Sequence, residues 1–334
     1  MLLRTGHEPL ARFQALFCGP PQSTALGIRG RLEFGLTRMV LDSSSFLPIT
    51  QEQFETLAKA KNGHLSVLFI EEKFDLLVEN YLELEDAMLG STNRHMVHKD
   101  QDYEWFQVER NLFNRRLVNL LSACRSYVDY AKHHIHVVMP GDQVASDQID
   151  AAFSRHYDAL LGYRVMEALR NFVQHRGFPI HAISYAGKWM GPKDDASLKF
   201  GLSIFTKTIY LSDDGFKKTV LAELEALGGR VDLKPLIREY VAALSDVHKL
   251  LRTMTEASVA KWDAAFDQAL QQFKAAFPAE GSVIGLSAVR KGAEEKTAVG
   301  IFSDAIEYRK ALQRKNRMLE SLAKRYVTGE VLKA

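Results

Sequence analysis

Along most of this chain apolar residues recur every three or four positions, the period of a helix with one buried face. Thr50 precedes Gln51-Glu52-Gln53 as in a capping box, and the pattern predicts a short helix to about Lys61, stopped by Asn62-Gly63. A second helix follows from Leu65 to Leu89, with Leu68, Phe69, Phe74, Leu77, Val78, Tyr81, Leu82 and Leu84 in register, ended by Gly90-Ser91-Thr92-Asn93. A third, about Tyr103 to His136, carries Phe106, Phe113, Leu117, Leu120, Cys124, Val128, Ala131 and Ile135 on one face. Its opposite side holds the polar strip Asn111, Arg115, Ser122, Arg125 or Ser126, and Asp129. After Pro140-Gly141, one continuous helix beginning near Ser146 or Asp147 buries Ile149, Phe153, Tyr157, Leu160, Leu161, Val165, Leu169 and Phe172, and Gly177 and Pro179 end it.

Two regions change period. Ile180 to Tyr185 alternates, and after a Gly-Pro-Lys-Asp-Asp turn Lys199 to Leu211 does so again, which predicts a β-hairpin packed on the helices. Residues 1–50 mix Gly-Pro-Pro with a partly alternating run from Leu26 to Gly35, read as one or two strands broken by glycine. Ser212-Asp213-Asp214 caps a helix to about Leu227, broken by Gly228-Gly229. From Asp232 a long helix with Leu233, Ile237, Tyr240, Leu244, Val247, Leu251 and Met254 on one seam runs to Phe277, on the order of 65 Å at 1.5 Å per residue. Residues 279–300 read as a loop or a weak hairpin, and a basic helix from Ser303 to Tyr326 closes the chain. The expected architecture is mainly α, a helical bundle with an inserted β-hairpin and a long C-terminal helical region. It divides into an extension at 1–50, a helical core at 51–180, the hairpin and a short helix at 181–230, and the long and basic helices at 231–334.

Composition adds exclusions. With 46% hydrophobic residues among 334, the chain can bury a large core. Its 43 Lys and Arg against 41 Asp and Glu leave +2, so attraction to a polyanion must come from local patches. Cys18 and Cys124 cannot form a four-cysteine metal site and fit a reducing cytoplasmic setting. Arg4, His7, Glu8 and Arg12 interrupt any signal-peptide core, and no apolar run reaches the ~18 residues of a membrane span. No Walker loop, dinucleotide-binding glycine triplet or nucleophile elbow stands in a suitable context, so no cofactor is expected.

The chemistry-bearing stretch is Ala168 to Gly177, near the end of the motif helix, where Arg170, Asn171 and His175 form Arg-Asn-x-x-x-His. At 100° per residue Arg164, Glu167, Asn171 and His175 share a narrow arc, with Arg170 on its flank beside Glu167 and Gln174. Upstream, Asn114 to Asp129 supplies a second amphipathic helix, and Tyr163 to Leu169 leads into the motif. Together these resemble the HEPN superfamily, over roughly residues 103 to 180.

The resemblance implies an all-helical domain, often a homodimeric, metal-independent endoribonuclease with a composite site across the dimer, such as a toxin or an antiviral (phage-defence) effector with an antitoxin or regulatory protein as partner. RNA would be the substrate. His175 would transfer protons or polarise the 2′-hydroxyl, Arg170 would stabilise charge on the phosphorane, and Asn171 would orient them. Arg164, Glu167, Gln174, Arg176 and Arg115 are the candidate substrate-binding residues. One departure is Gly177, where the branch regulated by a nucleotidyltransferase usually has tyrosine; control by tyrosine adenylylation is unsupported.

Other readings stay open. Arg, Asn and His near a helix C-terminus also satisfy its last carbonyls, which fits a non-catalytic scaffold or nucleotide-binding module. His133-His134-x-His136 diverges around its helix and reads as a C-terminal cap rather than a metal site, and His95 and His98 as members of a solvated loop. The terminal helix, with seven basic residues against three acidic, is a solvated face or an RNA contact. Trp105, Trp189 and Trp262 read as core or interface anchors.

Overall fold

The computed structural model describes residues 32–40, 45–98, 102–191, 197–212, 216–292, 296–317, 321–325 and 327. It is mainly helical, with two small antiparallel sheets. Cys18, Asp213 and Asp214, and most of the glycine-interrupted run before β1, lie outside the described residues.

Two long helices organise the molecule. α1 (Gln51–Val97) and α6 (Leu233–Ala276) run antiparallel, as three contacts along them require: Arg238 pairs with Glu85, Arg252 with Glu71, and the Trp262 ring lies over Gly63. Neither Asn62-Gly63 nor Gly90 to Asn93 stops α1. A Cβ at Gly63 would sit 2.3 Å from the Trp262 ring, so this glycine makes room for a neighbouring helix. Its helix penalty of about 1 kcal/mol is offset by tertiary packing. Past Gly90, Ser91 is fully buried and hydrogen-bonds the Tyr185 hydroxyl, while Arg94 pairs with Glu109 at 2.8 Å. The Thr50 capping box is present as expected.

The larger core gathers α1, α2 (Tyr103–Val138), α3 (Gln143–Ala159), α4 (Leu161–His175), α5 (Lys218–Ala226) and the first half of α6. The motif helix is broken rather than continuous. Leu160 is extended at φ −115°, ψ 120°, so α3 and α4 are separate. The break has two supports: the Arg164 guanidinium donates to the carbonyls of Tyr157 and Asp158 at 2.9 and 2.6 Å, and the Gly162 N–H donates to Glu239 at 2.6 Å. They satisfy carbonyls and an amide that helix ends leave open.

On this core lies a three-stranded sheet, β3 (Ala182–Met190), β4 (Ser197–Lys207) and β5 (Arg230–Asp232), in order β3-β4-β5. The expected hairpin forms, but β4 gives way at Thr208–Tyr210 to a 3-10 turn, and β5 is an unforeseen third strand. α5 begins at Lys218 without a side-chain cap, later than the Ser212-Asp213-Asp214 signal suggested.

A second core joins the start of α1 and the end of α6 through Phe54, Leu57, Phe266 and Phe273. A four-stranded sheet closes it in the order β2-β1-β6-β7, with β1 (Glu33–Arg38), β2 (Phe46–Pro48), β6 (Leu286–Lys291) and β7 (Lys296–Gly300). The weak hairpin at 279–300 is therefore a true pair of strands, held because β6 also pairs β1 over six positions. α7 (Ser303–Lys315) ends eleven positions before the expected Tyr326. Among the described residues no helix is long and apolar enough to cross a membrane.

Candidate functional site

α4 sets the motif. Its apolar stripe, Val165, Met166, Leu169 and Phe172, is buried, which fixes the polar arc on the other side. α2 runs antiparallel beside it, tied at two points. Arg125 approaches Glu167 at 3.9 Å, and the Asn114 carboxamide holds the Ile180 peptide just beyond the helix.

Within the motif, Arg170 donates to the Asn171 side-chain oxygen at 3.0 Å, while the Arg170 Nε is buried with no hydrogen-bond partner. Asn171, Gln174, His175 and Arg176 are exposed on the final turn, and Arg115 is exposed on α2. His175 is the last helical residue, and the Arg176 N–H closes the helix on the Phe172 carbonyl at 2.9 Å.

The other predicted substrate ligands are engaged inside the fold. Arg164, besides capping α3, pairs with Glu223 of α5 at 2.6 Å. Glu167 accepts from the buried Tyr240 hydroxyl at 2.6 Å. Its outer side still lines a groove of about 320 Å³ between α2, α3 and α4, which Arg125, Lys132, Tyr157 and Tyr163 also line. Arg125 and Lys132 each carry a carboxylate partner there, Asp129 at 2.8 Å and Asp150 at 2.6 Å.

The histidines expected to cap α2 do other work, because the helix continues to Val138. His134 packs against Phe69 and Tyr130, and burial followed by repulsion from His133 lowers its pKa to about 4. His136 meets the Ser146 hydroxyl at 3.1 Å. His95 belongs to α1 rather than a loop and stacks on Tyr185 at 4.3 Å, beside Trp105. Trp262 packs against the second core, whereas Trp189 is 67% exposed on β3.

The densest polar cluster was invisible in the sequence pattern. Glu71, 1% exposed, accepts from His248 Nε2 at 3.1 Å, from Arg252 at 2.9 and 2.6 Å, and from Gln313 at 3.1 Å. Burial alone would raise the Glu71 pKa, but the bonds from His248 and Arg252 outweigh it and hold it at about 2. The other His248 nitrogen meets the Tyr127 hydroxyl at 3.2 Å. With both ring nitrogens engaged, His248 has no free position for proton transfer to a ligand, and the cluster ties α1, α2, α6 and α7 together. The sequence signal was two titratable side chains, Glu71 and His248, inside apolar seams.

No family model, curated protein or solved structure matches this chain.

Proposed function

We propose that the chain is a metal-independent endoribonuclease of HEPN type that acts as a homodimer, with the end of α4 facing its copy. One observation carries this reading: the half-buried Arg170 donates to the exposed Asn171, and the exposed His175 stands one turn further along the same packed helix end. In this reading His175 accepts the 2′-hydroxyl proton as that oxygen attacks phosphorus, and the 5′-oxygen leaves with a proton from the second copy's histidine. Arg170 donates to a non-bridging oxygen. Products carry a 2′,3′-cyclic phosphate and a 5′-hydroxyl. The site of a single copy holds one histidine, and a two-fold pairing supplies the second on the far side of the phosphate.

A second reading, a non-catalytic scaffold, is favoured by the engagement of Arg164 and Glu167 within the fold. The discriminating experiment incubates the protein and its His175→Ala variant with a mixed RNA pool in EDTA and reads the 3′ ends. Cyclic phosphates made by the parent protein and absent with the variant, at equal melting temperatures, support the nuclease. No cleavage by either protein, with a changed dimer fraction in the variant, supports the scaffold.

A further inference from the structure

The groove of about 320 Å³ between α2, α3 and α4 has an apolar and aromatic floor: Val128, Phe153 and Tyr163 are buried there, with the half-buried Tyr157 at the side. The Tyr157 and Tyr163 rings meet edge to face at 6.0 Å. Small-molecule and base sites share this make-up, an apolar body with a few placed polar groups. Here the placed group is Glu167. The buried Tyr240 hydroxyl donates to its Oε1 at 2.6 Å and so orients the carboxylate. Among the described residues none donates a hydrogen bond to the other oxygen, Oε2, and the Arg125 guanidinium stands 3.9 Å from it.

Arg125 and Lys132 on the α2 side turn away an amine or a polyamine as occupant, while their own carboxylate partners, Asp129 at 2.8 Å and Asp150 at 2.6 Å, weaken the pull on a simple anion. What remains is an acceptor beside a donor over an aromatic floor, which suits a flat ligand whose edge carries donors beside an acceptor. Guanine has that edge. Its N1–H and N2–H are adjacent and both reach one carboxylate, and its O6 follows as an acceptor for arginine. Adenine and cytosine offer a carboxylate one donor beside an acceptor, and uracil offers one donor between two acceptors.

We propose that this groove binds a guanine base of the RNA, with N1–H and N2–H donated to Glu167, O6 accepting from Arg125, and the ring along Tyr157 and Tyr163. Tyr240 is a positioning residue that acts through Glu167. On α4, Asn171 follows Glu167 by one turn and His175 follows by two, so the base site lies about 12 Å along the helix from His175, at ~1.5 Å per residue. Bases of a single strand can be splayed out and read on their Watson–Crick edge in this way, with the backbone continuing to the motif. The choice of an RNA base over a free guanine nucleotide rests on the nuclease reading above, to which it adds a sequence preference.

The test has two arms. In the first, isothermal titration measures 3′-GMP, 3′-AMP, 3′-CMP and 3′-UMP against the parent protein and E167Q. The parent binds 3′-GMP at least about tenfold more tightly than the other three. E167Q keeps an acceptor for the Tyr240 hydroxyl, so its melting temperature stays close to the parent's, but its amide turns a donor toward guanine N1–H and the preference is lost. In the second arm, fragment ends from a mixed RNA pool in EDTA are sequenced for the parent, E167Q and His175→Ala. Cuts by the parent fall at a fixed offset from guanine, E167Q cuts without that preference, and His175→Ala does not cut. A parent protein with no preference for 3′-GMP overturns the inference without recourse to any variant, as does a preference that survives in E167Q. Glu167-dependent binding of 3′-GMP without any cleavage keeps the guanine site, assigns it to a free nucleotide and removes the nuclease. His175-dependent cleavage without base preference keeps the nuclease and removes the guanine site.

Discussion

The Asn114 carboxamide and the Ile180 peptide form a reciprocal pair: the amide donates to the Ile180 carbonyl at 3.0 Å, and the Ile180 N–H donates to the Asn114 oxygen at 2.9 Å. Both residues are about 1% exposed. This clamp fixes where the chain goes after His175 and holds α2 against the end of α4. Asn114→Leu leaves two buried backbone groups unsatisfied, at about 1–3 kcal/mol each. We expect a loss of about 2–4 kcal/mol in urea unfolding. Asn114→Asp retains the acceptor but loses the donor and should fall between the two. A leucine variant as stable as the parent would show that the clamp contributes nothing.

Gly63 tests the relation between the long helices. In an isolated helix Gly→Ala gains about 1 kcal/mol. Here the new methyl would meet the Trp262 ring at 2.3 Å, and overpacking costs about 1–3 kcal/mol. Gly63→Ala should therefore lower stability, and adding Trp262→Leu should recover part of the loss in a double-mutant cycle. Stabilisation by Gly63→Ala alone would mean that the helices do not meet here.

These residues show what was legible in the sequence. The helical periodicity of α2, α4 and α6 could be read because one buried face imposes it on every turn. Arg170, Asn171 and His175 could be singled out as candidates because they are neighbours on one helix. Where the sequence misled, a tertiary partner overrode a local signal: Trp262 at Gly63, Tyr185 beside Gly90, and Arg164 with Glu239 around Leu160. Glu71 and His248 lie 177 positions apart, and no local pattern announces such a pair.

The Glu71 cluster should be among the most sensitive points of the fold. Glu71→Ala leaves the Arg252 guanidinium and the His248 and Gln313 donors without their acceptor, and breaking a buried charged pair from one side costs about 3–5 kcal/mol. Glu71→Gln keeps a neutral acceptor and should cost less. Replacing Glu71 and Arg252 together by Met should recover much of the loss, because no lone buried charge remains. Chemical denaturation of the three variants checks that order, and equal stability of all three would show that the charge is irrelevant.

Three histidines and Glu71 set an acid limit in two windows. His134 and His181 are held at about 4, below the ordinary 6.5, in both cases first by burial; His133 adds repulsion in one, Arg110 and Lys207 in the other. His248 is lowered by burial as well. Between pH 6.5 and 4 the unfolded chain binds protons that the native state refuses, so stability rises with pH there and falls on acidification. Solvent screening limits this to on the order of 1 kcal/mol for each of the two partly exposed histidines. Below pH 4.5 Glu71 adds a second loss of the same sign, because its native value near 2 keeps it ionised while the unfolded chain protonates. The melting temperature should drop from pH 7 to 5 by about 2–4 °C per kcal/mol lost, and more steeply below 4.5. His181→Asn preserves an acceptor for the Lys207 N–H but cannot titrate. It should flatten the first window and leave the second intact. An unchanged pH slope in that variant would show that His181 does not contribute to the first window.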